Sequence, residues 1–131
     1  MNRVELEGYI SETYGIAPDY PFEKDSVSAV FRHPQNRKWF ALIMEIPKSK
    51  LGLHEEGNIA IVNLKCDPIM IGSLRSERGF FPAYHMSREN WISAALDGSA
   101  DSERIKLLLD VSYGLTLPKV RKRKADSKDE F

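Results

Sequence analysis

The sequence predicts a two-layer α+β domain, with an antiparallel five-stranded sheet and helices packed on one face. Apolar periodicity along the 131 residues gives the element order α-β-β-β-α-β-β-α. Short connections between neighbouring strands favour antiparallel pairing. The helices interrupt the strands instead of alternating with each one, which favours a two-layer α+β domain over a doubly wound sheet.

The N-terminal segment predicts a helix. Its apolar residues recur at helical spacing, namely Leu6, Tyr9, Ile10 and Tyr14. Asn2 and Glu5 form a capping pair at its start, and Gly15 provides a stop.

Three strands should follow this helix. In the first, Val27, Ala29 and Phe31 alternate with Ser26, Ser28 and Arg32, which predicts one wet face. The second strand runs from Lys38 to Ile46, and its stretch from Trp39 to Met44 is apolar on both faces, so it should lie well inside the sheet. The third strand runs from Asn58 to Lys65 after a polar loop.

The second half of the chain predicts the remaining elements. Asp67-Pro68 opens a helix that Gly79 should close. A strand pair then follows, from Phe80 to Met86 and from Trp91 to Leu96, joined by the turn at Ser87–Asn90. Asp97-Gly98 is a turn, and the last helix should run from Asp101 to Tyr113 and end at Gly114.

Charge divides the chain into a single domain at 1–118 and a basic, flexible tail at 119–131. The tail holds six of the 19 Lys and Arg and three of the 19 Asp and Glu, so residues 1–118 carry a net charge of −3. A mildly acidic body is not typical of a strong nucleic-acid binder. Any such binding must therefore come from a local patch or from the tail.

The sequence also predicts a cytoplasmic protein that does not enter a membrane. It has no apolar run of about 18 residues, which a membrane span requires. Acidic residues stand near the N-terminus, where a signal peptide needs an apolar core. The single cysteine, Cys66, has no partner in the chain for a disulfide, in keeping with a reducing compartment.

Catalytic, metal and cofactor motifs are missing from the sequence. His85 is the best acid–base candidate, and Asp97 could orient it, but no nucleophile motif accompanies them. The three histidines lack metal-ligand spacing, and the isolated glycines form no phosphate cradle. We therefore expect no enzyme, with an acid–base site at His85 and Asp97 kept as a third hypothesis.

A cluster of cations and aromatic residues suggests nucleic-acid binding. Its members are Lys65, Arg75, Arg78, Tyr84, His85, Arg88 and Trp91. The cations could contact phosphates, and the aromatic rings could stack on a base or pack against the backbone. In the alternative interpretation, Tyr84 and Trp91 fill the core and the arginines only solubilise it. The basic run Arg121–Lys124 would add a salt-sensitive attraction.

Phe80 and Phe81 suggest a different function, namely binding of a protein partner. Adjacent residues on a strand point to opposite faces, so one ring should be buried and the other could be exposed beside the sheet. An exposed ring there would suit a protein partner. A protein-binding adaptor that uses the sheet face is therefore the alternative to DNA binding.

Several short motifs in fixed order carry a family resemblance. They are Lys65-Cys66-Asp67-Pro68, Tyr84-His85-Met86, Arg88, Trp91, Leu96-Asp97-Gly98 and Ser112-Tyr113. Over residues 2 to 118 the chain resembles the MmcQ/YjbR family of small bacterial proteins. The resemblance implies a two-layer fold, described as CyaY-like or secretion-chaperone-like. It also implies binding of double-stranded DNA between two hairpin wings, here the turns at Pro34–Lys38 and at Arg88.

Overall fold

The structure, a computed structural model, describes residues 1–22, 24–25 and 27–119. Its elements are α1 Arg3–Tyr14, β1 Ala29–Arg32, β2 Trp39–Pro47, β3 Asn58–Lys65, α2 Pro68–Leu74, β4 Phe80–Pro82, β5 Trp91–Ala95 and α3 Ser102–Thr116, with a short 3₁₀ helix at Lys48–Leu51. The sheet is antiparallel in the order β1-β2-β3-β5-β4. The predicted fold class and element order are confirmed. The predicted tail lies, from residue 120 on, outside the described residues.

The helices form one layer on one face of the sheet. Buried side chains from all three helices join one apolar cluster with that face: Leu6, Ile10, Ile71, Leu74, Ile105, Leu108, Leu109, Ala41, Ile43, Val62 and Leu64. On the opposite face, Ile46, Ile59 and Ile61 pack with Leu51 and Phe81. The sheet is therefore apolar on both faces, and the three α-helices cover only one of them. None of the described helices is long and apolar enough to cross a membrane.

The ends of α1 follow the sequence closely. The Asn2 side chain accepts a hydrogen bond from the Glu5 backbone N–H at 2.9 Å, and the Glu5 carboxylate accepts one from the Asn2 N–H at 2.8 Å. Gly15 has φ of 67° and its N–H donates to the Ser11 carbonyl oxygen. Both predicted signals thus satisfy backbone groups that the helix itself leaves unpaired.

The first strand differs from its predicted alternation. It begins at Ala29, Ser28 is buried, and Val27 is 44% exposed. The Asp25 carboxylate accepts hydrogen bonds from the N–H groups of Val27 and Ser28 and from the Ser28 hydroxyl, which folds this segment into a turn. Val30 is buried too, and it pairs with Asp19 in a bridge outside the main strands. The predicted wet face was therefore wrong, and Ser26 lies outside the described residues.

Two glycines do not end helices as predicted. Helix α2 ends at Leu74, and Gly79 instead permits a close approach of two backbone segments. A Cβ atom built on Gly79, whose φ is 86°, would lie 2.4 Å from the backbone nitrogen of Ala100. Gly114 lies inside α3, which continues to Thr116.

Candidate nucleic-acid interface

One end of the sheet gathers cations and aromatic rings from three strands. At this end β2 begins, β3 ends and β5 begins, and Lys65 of β3 pairs with Trp91 of β5. A surface depression of about 250 Å³ lies here, lined by Arg37, Lys38, Trp39, Lys65, Met86, Trp91 and Thr116. We call it the tryptophan depression.

A second depression lies beside the turn that precedes β5. It has a volume of about 340 Å³ and is lined by Pro68, Ile71, Gly72, Arg75, Arg88, Glu89 and Asn90. The Arg75 guanidinium donates a hydrogen bond to the Arg88 carbonyl oxygen at 3.2 Å. Helix α2, from Pro68 to its C-cap Arg75, and the Arg88 turn therefore form a continuous surface.

The cations at this end share one property. We define the basic end as Arg37, Lys38, Lys65, Arg75 and Arg88. Within the described part of the chain, none of these five forms an ion pair with a carboxylate within 4.0 Å, whereas Arg3, Arg32, Lys48, Arg104 and Lys106 each do. Lys24, Lys50, Arg78 and Lys119 also form none among the described residues, so it is the gathering of five such cations that distinguishes this end. The carboxylates in the same segments are Asp67, which accepts a hydrogen bond from the Ile69 N–H, and the exposed Glu89. The basic end thus carries excess positive charge.

The 34–37 turn is fixed against α3 by two side chains. His33 is buried, and its Nε2 lies 3.0 Å from the Tyr113 carbonyl oxygen and 2.9 Å from the Thr116 hydroxyl. Burial lowers the pKa of His33, and the contact with Tyr113 opposes this only in part. The Asn36 amide donates to the Thr116 carbonyl oxygen at 2.9 Å. Arg37, with φ of 64°, is therefore presented from a fixed turn.

The segment after β4 crosses the sheet instead of extending the strand. Strand β4 was predicted to reach Met86 but ends at Pro82. Tyr84 then donates its backbone N–H to the Ser93 hydroxyl at 3.0 Å, and its carbonyl oxygen accepts from the Asn63 amide at 3.0 Å. His85 follows with φ of 60°, exposed, its ring centroid 4.1 Å from that of Tyr84. The side chains of Asn63 and Ser93 thus take the place of strand pairing at Tyr84, and they fix the direction in which the chain continues toward Arg88.

The structure brings together most, but not all, of the cluster predicted from the sequence. Lys65 and Trp91 share one depression, and Arg75 and Arg88 share the other. Arg78 lies apart, in a depression that also holds Asp97, Phe81 and Ile59 at the opposite end of β3. Its predicted phosphate contact is therefore separated from the others.

Three cationic or aromatic residues of the tryptophan depression, Arg37, Lys38 and Trp39, were missing from the predicted cluster. Arg37 and Lys38 belong to the turn that the family resemblance marked as a wing, and this was the one signal that could have included them. Trp39 stands in an apolar run that predicts an interior strand, which concealed its contact with the surface.

His85 and Asp97 do not form a common site. The Asp97 carboxylate accepts hydrogen bonds from the Ser99 N–H at 2.9 Å and from its hydroxyl at 2.5 Å. Burial raises the pKa of Asp97, but these bonds and nearby Lys48 outweigh it, so the net shift is downward. Asp97 lines two depressions, and His85 lines neither. Among the described residues, no group of three or more His, Cys, Asp and Glu side chains could hold a metal ion.

Comparison with known proteins identifies the relatives of this chain. A family model described as YjbR matches residues 11–115. The chain belongs to the YjbR family. Protein YyaQ of Bacillus subtilis (strain 168) is 40% identical over 116 residues, which cover 88% of this chain and 98% of YyaQ. The family expected from the short motifs is thereby confirmed.

Solved structures of YjbR relatives share the architecture. A crystal structure of a Pseudomonas syringae protein is 41% identical with a TM-score of 0.88, covering 89% of this chain and 100% of that one. A solution structure of a protein from the same organism is 39% identical with a TM-score of 0.85, covering 95% and 99%. The Deinococcus radiodurans protein DR2400, with a DUF419 domain, shares the fold at 24% identity and a TM-score of 0.66, covering 87% of this chain and 77% of its own.

Proposed function

We propose that this YjbR-family protein binds DNA through its basic end, without catalysis. The observation that carries the proposal is the convergence of five cations that form no ion pair with any carboxylate of the described residues, in a chain whose formal net charge is zero. Phosphate oxygens are the acceptors that such cations suit, and most protein–DNA hydrogen bonds go to phosphate and sugar. We assign Tyr84 and His85 to the same interface, because they directly precede Met86, which lines the tryptophan depression.

The charge distribution sets the character of this binding. Four of the five cations are exposed, and Lys65 is half-buried. Each phosphate contact releases counterions, so a handful of contacts gives an affinity that falls with salt and does not depend on sequence. The acidic remainder of residues 1–118 opposes tight binding. We therefore propose a weak, sequence-tolerant DNA-binding protein.

A protein-binding adaptor is the second candidate, and one observation favours it. Trp, Met and Arg, the residue types enriched in protein interfaces, line the tryptophan depression. The sheet face beside Phe81 is a poorer candidate, because Ile46, Ile59 and Ile61 on that face are at most 5% exposed. An adaptor would therefore use the same basic end and compete with DNA for it.

Two finer assignments belong to the same proposal. The five-stranded antiparallel sheet with helices on one face supports a CyaY-like description of the fold. Cys66, the single cysteine, is buried, and burial raises the pKa of its thiol, so it stays reduced and unreactive in the cytoplasm where we propose that the protein works.

Fluorescence anisotropy of a labelled random-sequence DNA duplex tests the function. The full chain is titrated at two salt concentrations beside a full-length variant with Arg121, Lys122, Arg123 and Lys124 changed to Gln. Salt-sensitive binding by both proteins supports a contact on the described domain. Binding by the wild type alone would reduce the activity to the charge of 121–124, and no binding by either would favour the adaptor.

A further inference from the structure

Both tryptophans of the chain line the tryptophan depression. Trp39 is the first residue of β2, Trp91 is the first residue of β5, and β3 with Lys65 runs between them. Neighbouring strands lie about 4.8 Å apart, so the two tryptophan-bearing strands are separated by about 10 Å. A central cation is thus flanked by two large aromatic side chains.

Both tryptophans stand on fixed backbone and still reach the surface. The Arg32 guanidinium carbon lies 5.8 Å from the centroid of the Trp39 ring, and the Phe22 ring meets it edge-on with centroids 6.0 Å apart. The backbone of Trp91 is fixed by its pairing with Lys65 in the sheet. Both tryptophans are half-buried, so each has surface that a ligand can contact.

This lining is more than phosphate binding needs. Phosphate oxygens accept hydrogen bonds from cations, polar side chains and backbone N–H groups, and this contact needs no exposed indole. Within a duplex the faces of the bases are hidden by their stacked neighbours. An unpaired base exposes its face and stacks on aromatic side chains whatever its identity. The depression, about 250 Å³, is smaller than the roughly 300–1,000 Å³ of pockets for drug-sized ligands. Its size suits a single flat ring system.

We propose that the preferred ligand is single-stranded DNA, with one unpaired base stacked on a tryptophan of this depression. Lys65, Arg37 and Lys38 then contact the phosphates on either side of that base. The inference rests on the proposed function, because it uses the same basic end, and it narrows the ligand from DNA in general to a strand with exposed bases.

Intrinsic tryptophan emission tests this directly, because the only two tryptophans of the chain line the depression. The full chain is titrated with an oligothymidylate of about 15 nucleotides, within the range of single-strand site sizes, and with a random duplex of the same length. Stacking of a base on an indole quenches its emission, whereas phosphate contacts alone do not. We expect quenching by the single strand only, with a lower Kd for it than for the duplex.

Variants identify the stacking side chain. Trp91→Leu keeps an apolar side chain but removes the aromatic face, and Trp91→Phe restores one. If Trp91 stacks, the Leu variant loses about tenfold in single-strand affinity, the loss expected for one base–aromatic stack. The Phe variant recovers most of that loss, and duplex binding stays unchanged in both. Trp39→Leu and Trp39→Phe form the same pair for the other indole, and thermal melts check that every variant folds.

The possible results distinguish base stacking on a tryptophan from DNA binding in general. Quenching by the single strand, together with a selective loss in one of the Leu variants, supports the inference. Equal affinity for duplex and single strand without quenching overturns it and leaves DNA binding intact. Single-strand binding that neither Leu variant weakens also overturns it. Binding to neither form of DNA overturns both the inference and the proposed function.

Discussion

The side-chain amide of Asn63, in the middle of the sheet, donates a hydrogen bond to the backbone carbonyl oxygen of Tyr84 at 3.0 Å. Ser93, opposite Asn63 on β5, donates to the Asn63 side-chain oxygen and accepts from the Tyr84 N–H. Both backbone groups of Tyr84 are therefore satisfied by two fully buried side chains. This small hydrogen-bond network fixes the segment that connects the end of β4 to the Arg88 turn.

Replacing Asn63 should destabilise the protein. Asn63→Ala leaves the Tyr84 carbonyl oxygen without its partner inside the sheet, and an unsatisfied buried polar group costs about 1–3 kcal/mol. We expect the free energy of unfolding, measured with urea, to fall by about that amount. Asn58→Ala, at the exposed start of the same strand, is the control and should change it by less than about 0.5 kcal/mol. Equal effects of the two substitutions would show that the network contributes nothing.

Substitutions of Arg88 and Arg78 test where DNA binds. The sequence places both arginines in one cluster, whereas the structure places only Arg88 at the basic end. Arg88→Ala removes a cation of the basic end but keeps the backbone oxygen that Arg75 contacts. It should weaken DNA binding by about 1 kcal/mol, or about fivefold, and reduce the salt slope by about 1. Arg78→Ala removes the same type of side chain beside Asp97 and should leave affinity unchanged. Anisotropy titrations at several salt concentrations measure both, and the reverse ranking would refute the placement of the interface.

Gly79 should tolerate substitution less well than Gly98. Both have positive φ, 86° and 91°, so an alanine at either position is strained. Only at Gly79 does the added methyl also meet another backbone segment, at Ala100. Beyond the shared conformational cost of about 1–2 kcal/mol, Gly79→Ala should lose a further 1–3 kcal/mol, roughly the cost of overpacking. Urea unfolding of the two variants compares them, and equal losses would mean that the Ala100 segment moves aside freely.

His33 should make stability depend on pH. Burial depresses its pKa below the ordinary value of 6.5, so the unfolded chain binds a proton at a higher pH than the folded one. The contribution is fully present above about pH 6.5. It is lost progressively as the pH falls from there to the depressed folded-state pKa. Thermal or urea unfolding across this range measures the slope.

A glutamine variant isolates the contribution of His33. His33→Gln keeps an N–H donor near the position of Nε2, toward Tyr113 and Thr116, but does not titrate. The variant should have a shallower slope of stability against pH than the wild type. His54→Gln, at an exposed position, should leave the slope unchanged. A wild-type slope in the His33 variant would assign the pH dependence to other groups.

The sequence predicted the fold well where single residues carry a local signal. The capping pair of Asn2 and Glu5, the opening of α2 at Asp67 and the interior position of β2 depend on neighbours in the chain, and the structure contains all three. Element ends that depend on distant partners were wrong. Gly79 is required by the close approach of the Ala100 backbone and not by a helix end. Helix α3 continues beyond Gly114, and this places Thr116 within hydrogen-bond distance of His33.

The candidate site was only partly predictable for the same reason. Lys65 and Trp91 lie far apart in the chain, and the short motifs of the family marked both. Trp39 reaches the same depression only because β2 is the neighbour of β3, a fact of sheet order. Arg78 is close in sequence to Arg75, yet the end of α2 at Leu74 lets the chain turn away and carries Arg78 to the other end of the sheet.

Amide and indole chemical-shift mapping shows which residues of the protein DNA contacts. Uniformly ¹⁵N-labelled full chain is titrated with DNA at low salt, and perturbed resonances are assigned to positions. We expect shifts concentrated at residues 36–39, 65 and 86–91 and at both tryptophan indole N–H groups, with little change at Arg78 or Lys50. Shifts confined to residues beyond 119, or centred on Arg78 and Asp97, would contradict a DNA interface at the basic end.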